Sequence, residues 1–144
     1  MPEPETLAAI RAAVEAVAPA TDSLSGAADL GVQDHVVALV DQSLPGLIDM
    51  VAALLNAYAA EVRPVPFAEL SIDERSRVIR TMSTDDSQDI RDAVDAILVF
   101  TFGGLFSEWT GYDRATRRLT PPASWKAAGF HGPVHGHPDY RIGI

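Results

Sequence analysis

Apolar side chains recur three and four residues apart over nearly all of the first 110 positions of this 144-residue chain, and then the pattern stops. That spacing gathers them on one face of an α-helix, whereas a half-buried strand would need strict alternation. The stripe is plainest in Leu47, Ile48, Val51, Leu54, Leu55, Tyr58 and Val62. It predicts a helix over residues 44–62, with Pro45 in its first turn.

The neighbouring segments follow the same rule. Leu7, Ile10, Val14 and Val17 predict a helix over 6–17, started by Pro4 and Glu5 and stopped by Pro19. Val32, Val36, Val37, Leu39 and Val40 predict a helix over 29–43, since these valines do not alternate with polar residues. Arg63-Pro64-Val65-Pro66 breaks the chain, and Phe67-Ala68-Glu69-Leu70 reads as one short helical turn. Ser71, with Glu74 three positions on, forms a capping box for a helix from Ile72, whose buried face is Ile72, Val78, Ile79 and Met82. A last helix runs from Asp85-Asp86-Ser87 to about Trp109. Its inward set is Ile90, Val94, Ile97, Leu98, Phe100, Thr101, Leu105 and Phe106. Gly103-Gly104 inside it costs roughly 1 kcal/mol per glycine against alanine, so close packing, a kink or a ligand contact must offset it, the first two being the more usual causes.

From Gly111 the character changes. Pro121-Pro122, Gly129, Gly132, Pro133, Gly136, Pro138 and Gly143 leave no amphipathic period, so no helix is expected there. Trp125, Phe130 and Tyr140 in the same stretch argue against disorder. The expectation is an all-α fold, an irregular bundle of about five helices in residues 1–110. Residues 111–144 form an extended Gly/Pro-rich arm lying on this domain or on a partner.

Charge and motif content exclude several functions. Through Asp113 there are 19 acidic and 6 basic side chains, and from Arg114 onward 5 basic and 1 acidic. An acidic body of this kind is a poor nucleic-acid binder, because phosphate contacts need clustered Lys and Arg. The run Arg114, Arg117, Arg118 is too short to reverse this and reads as a solvated loop or a docking contact. No cysteine is present, which excludes disulfides, thiolate metal sites and thiol nucleophiles. No window approaches twenty apolar residues, so no membrane span is expected. The start Met1-Pro2-Glu3-Pro4-Glu5 has no basic signal-like region. As written the chain is expected in the cytoplasm, and exported only with a partner or from a precursor whose signal was removed. Neither GxGxxG, a P-loop nor H-E-x-x-H occurs, so the chain is expected to hold no dinucleotide of its own.

Two clusters remain as candidates for chemistry. His131, His135 and His137 are residue types that bind zinc or nickel, and with Asp139 they make a local acid–base set. Their spacing is not that of a helical pair, and intervening Gly and Pro leave the geometry open. Histidines that hydrogen-bond a loop backbone are the plainer reading, and no metal is expected. The set supports an alternative function, a small stand-alone lyase or isomerase. Asp85, Asp86, Asp89, Asp92 and Asp95 open the last helix, where the macrodipole favours carboxylates, and read as a solvated face.

Several segments, taken in order, resemble the small third subunits of gluconate 2-dehydrogenase. They are Val17-Ala18-Pro19-Ala20-Thr21-Asp22, Gly31-Val32-Gln33-Asp34, Phe67-Ala68-Glu69-Leu70, Gly104-Leu105-Phe106 and Trp125-Lys126-Ala127-Ala128-Gly129-Phe130-His131-Gly132-Pro133. The family's Tyr-Gly-Gly-Asn is replaced here by Gly111-Tyr112-Asp113-Arg114, and the twin-arginine signal often found in the family is not present. The resemblance implies a non-catalytic accessory subunit. Its partner would be a large FAD-dependent oxidoreductase of the glucose–methanol–choline type that oxidises a sugar or alcohol, often with a cytochrome as third member. The flavin would sit in the large subunit, and the small one would aid its folding, flavin loading or export. On that reading Trp125, Phe130 and Tyr140 are the aromatic anchors of the arm, and Arg117 and Arg118 supply charge that matches an acidic partner surface.

Overall fold

The computed structural model describes residues 2–130. Its helices are α1 (Pro4–Val17), α2 (Val32–Ser43), α3 (Leu47–Val62), α4 (Ile72–Ser83), α5 (Gln88–Phe106) and a short α6 (Ala123–Ala127). A 3-10 turn covers Phe67–Glu69 and a second covers Glu108–Gly111. The only sheet among the described residues is a hairpin, β1 (Tyr112–Asp113) antiparallel to β2 (Arg118–Leu119), with Tyr112 opposite Leu119. The fold is thus an all-α bundle, as its apolar periodicity implies.

Local chemistry explains most boundaries. The capping box at α4 is complete: Glu74 N–H donates to Ser71 Oγ at 3.2 Å, and Ser71 N–H donates to Glu74 Oε2 at 2.8 Å. The Ser71 backbone bond holds the Glu74 carboxyl below its ordinary range. Two helices start three residues later than expected. Helix α2 begins at Val32 and α3 at Leu47, because Gly31 (φ +74°) and Gly46 (φ +85°) take left-handed backbone that ends the preceding turn. Pro45 accordingly lies in the connecting turn and not in α3.

Helix α1 packs on α3, α4 and α5, while α2 lies against α5 and α3. The 3-10 turn at Phe67 closes over α1 and α3. Phe67, Leu55, Leu70, Met82, Val14, Val32 and Val94 are the large side chains wholly removed from water. Four residues of the expected apolar faces are exposed: Leu39, Val62, Ile72 and Phe106. Ile72 is 40 % exposed, because it lies in the first turn of α4, beyond the part of the face that covers Ile79. Phe106 is 44 % exposed, since a 100° step per residue cannot turn both Leu105 and Phe106 inward.

The segment after α5 also departs from expectation. Helix α5 ends at Phe106, three residues before Trp109, where Ser107 donates both its N–H (3.3 Å) and its Oγ–H (2.7 Å) to the Gly104 carbonyl. Residues 111–130 then form the hairpin and α6, so this stretch is not a simple extended arm. A helix of five residues is too short to show a period and cannot stand alone in water. It is held by α5, as described next.

Candidate interaction surface

The last carbonyls of a helix have no partner within it. At the end of α5 the following segment provides them. Ser124 is buried and its Oγ–H donates to the Leu105 carbonyl at 2.7 Å. The indole N–H of Trp125 donates to the Phe106 carbonyl at 2.6 Å. Pro122, also buried, precedes α6, where a fixed φ and a missing N–H cost nothing. The base of the hairpin closes the arrangement, with Thr120 N–H on the Gly111 carbonyl at 2.9 Å. A Cβ at Gly111 would run into the Thr120 carbonyl oxygen, so only glycine fits. Replacing Ser124 by alanine strands the Leu105 carbonyl. It is expected to cost about 1–2 kcal/mol and to speed tryptic cleavage at Lys126. An unchanged digestion pattern would show that α6 is held by other contacts.

This cap presents aromatic and basic groups. Phe130 packs edge-on to Trp125, centroids 5.0 Å apart at 75°, and remains 54 % exposed. Tyr112 and Leu119, opposite each other in the hairpin, are both largely exposed. Arg117 and Arg118 lie at the hairpin's closing side and are exposed, Arg117 with φ +54°. Asp113 turns the loop by accepting from Ala115 N–H (2.9 Å) and Thr116 Oγ–H (2.6 Å), bonds that hold its carboxyl below the usual range, the Thr116 bond most of all. Arg114 folds back so that its guanidinium lies 4.2 Å from the centre of the Trp109 ring. His35 of α2 stacks on the same indole at 4.8 Å. Burial lowers the pKa of His35 and so favours its neutral form.

Of the residues singled out in the sequence, Trp125 and Phe130 are brought together, with Arg117 and Arg118 on the hairpin that adjoins α6. Trp125 has an internal duty besides, since its N–H caps α5. His131, His135, His137, Asp139 and Tyr140 lie outside the described residues. Among the described residues, no group of three or more His, Asp or Glu is placed to hold a metal ion. No described helix is long and apolar enough to cross a membrane.

The acidic start of α5 has a structural role at one position. Asp85 accepts from Tyr58 Oη–H of α3 and, at 2.8 Å, from Ser87 N–H, while Arg91 donates to its backbone carbonyl. The Tyr58 bond is the first cause that lowers the Asp85 pKa, and it pushes Tyr58 up to about 12. For Asp85, whose folded pKa is depressed, the stabilisation is present above the ordinary carboxylate range and is lost as pH falls through the lowered value. For Tyr58, whose folded pKa is raised, it is full below pH about 10 and is lost as pH rises toward 12. Tyr58→Phe is therefore expected to lower the melting temperature at pH 7, and the gap to wild type should narrow below pH about 4. A gap independent of pH would mean that the bond contributes nothing.

Sequence reasoning missed the outer face of α5 and the Trp109 stack. Val99, Phe102 and Phe106 are three and four residues apart, all exposed, and form a second apolar stripe opposite the buried one. Beside it a groove between α2 and α5 is lined by His35, Leu39, Val99, Phe100, Gly103 and Gly104. The double stripe was available as a signal, although a helix with apolar residues on two faces resembles one that is simply well buried. No local pattern connects His35 to Trp109, 74 residues away.

Fold and surface together define a small helical bundle whose last long helix is capped by a basic, aromatic C-terminal segment. No family model matches this chain, and no curated protein or solved structure does either.

Proposed function

We propose that this chain is a non-catalytic small subunit of an FAD-dependent oxidoreductase of the glucose–methanol–choline type. It assists the folding, flavin loading or stability of the large subunit, which carries the flavin and oxidises a sugar or alcohol. A cytochrome is a candidate third member. The reading starts from the ordered resemblance to third subunits of gluconate 2-dehydrogenase. The observation that carries it here is the cap on α5: exposed Phe130, edge-on to half-buried Trp125, next to a hairpin bearing Arg117 and Arg118. Aromatic rings flanked by exposed cations suit docking onto an acidic partner surface.

The test is co-expression with a large flavoprotein of this type from the same genome, followed by affinity purification and an absorbance spectrum. A yellow complex is expected, together with a colourless or insoluble large subunit when this chain is omitted. A large subunit that is equally soluble and yellow alone would overturn the proposal. Phe130→Ala is the better probe of the docking site, since Trp125→Ala would also uncap α5. Loss of co-purification with Phe130→Ala would support the site, and unchanged recovery would remove Phe130 from it.

A further inference from the structure

Helix α5 presents an outer face that the described residues leave uncovered. Along it run Asp92, Asp95, Val99, Phe102, Gly103 and Phe106, all exposed and all within one arc of the helix. The face is divided. Its first half is acidic, next to Asp86 and Asp89. Its second half is apolar, with Val99 66 % exposed. The segment leaving α5 carries Arg114, Arg117 and Arg118. The 19 residues of the helix separate the two charged ends by about 27 Å.

Gly103 is the second peculiarity. A Cβ on Gly104 would come within 2.8 Å of Val32 Cγ1, so that glycine is required by the approach of α2 to α5. A Cβ on Gly103 would meet nothing within 4 Å. Gly103 lies in the last turn of α5, where an exposed glycine still weakens the helix, and nothing among the described residues offsets this. A second backbone approaching at that point would.

We propose that the outer face of α5 is a self-association surface, on which a second copy of this chain packs antiparallel across Gly103. A two-fold axis near Phe102 and Gly103 sets Val99 of each copy against Phe106 of the other. The same operation carries Asp92 and Asp95 of each copy toward the basic hairpin of the other. Charge selects this arrangement, because a parallel pairing would set acid against acid and base against base. The dimer shares Arg117 and Arg118 with the docking surface proposed above, so it is a state of the chain without a larger partner, and Val99→Glu tests it apart from that role.

Sedimentation velocity and light scattering of the full chain over roughly 1–200 μM, at low and high salt, test it, a range that brackets micromolar affinity. A species of twice the 15.4 kDa chain mass is expected, weakening as salt rises. Val99→Glu should weaken dimerisation about tenfold or more while helical circular dichroism and melting are kept, since the residue is exposed. A charge exchange is the second measurement. Asp92→Arg with Asp95→Arg should weaken the dimer, and adding Arg117→Glu with Arg118→Glu should restore it. Three results would overturn the proposal. One is a monomer at every concentration, as expected if the C-terminal residues or a different protein cover this face. The others are a dimer indifferent to Val99→Glu and a charge exchange that restores nothing.

Discussion

Phe67→Ala is expected to destabilise the fold by about 3–5 kcal/mol, the largest effect of any single truncation in this chain. Phe67 is wholly buried in the 3-10 turn between α3 and α4, where it seals the contact with α1 and α3. Its backbone N–H is fixed by Asn56 Oδ1 at 2.9 Å, so the turn cannot slide inward to fill the void. The cost is therefore the lost transfer of the ring from water plus the cavity left among α1 and α3. For a domain of this size the melting temperature should fall by roughly 10 °C. Chemical denaturation followed by circular dichroism measures it. A loss below about 1 kcal/mol would show that the site collapses freely and that the turn is not a fixed part of the core.

The two adjacent glycines of α5 should respond in opposite directions. Gly104→Ala is expected to destabilise by about 1–3 kcal/mol, because the new methyl group meets Val32 Cγ1 and α2 must move away or Val32 must leave its rotamer. Gly103→Ala adds a methyl group in open space on an exposed helical position, and should stabilise by about 0.5–1 kcal/mol. Parallel urea titrations of the two variants settle both signs. Equal responses would mean that α2 and α5 are not packed as described. The Gly103 variant also has a functional readout: a protein that is more stable but less self-associated is the signature of a glycine kept for an interface. One that is more stable with undiminished association would remove Gly103 from it.

Both predictions bear on how the surface is divided. The aromatic cap and the outer face of α5 adjoin at Phe106, whose backbone carbonyl binds Trp125 and whose ring is exposed. Changes at Trp125 therefore disturb the helix end as well as any partner contact. Phe130 and Val99 report on the two surfaces separately, and for that reason they are the substitutions of choice.

Much of the bundle was legible in the chain itself. Helical periodicity, the capping box at Ser71 and Glu74 and the breaks at Pro19 and Pro64 are local properties, set by steric and hydrogen-bonding rules that act within a few residues. They located the five long helices to within a few positions. The starts of α2 and α3 were placed three residues early, because apolar spacing carries no mark of the left-handed turns at Gly31 and Gly46. Tertiary structure alone decided the rest. Helix α6 exists because Ser124 and Trp125 reach the Leu105 and Phe106 carbonyls, partners nineteen residues back in the chain. Gly103 and Gly104, identical side by side in the sequence, differ only through the position of Val32 on another helix. The stack of His35 on Trp109 and the exposure of Phe106 likewise depend on how α2 and α5 meet. Local rules state which face of a helix is apolar, whereas the neighbour that covers it, or leaves it open, is settled only when the helices pack.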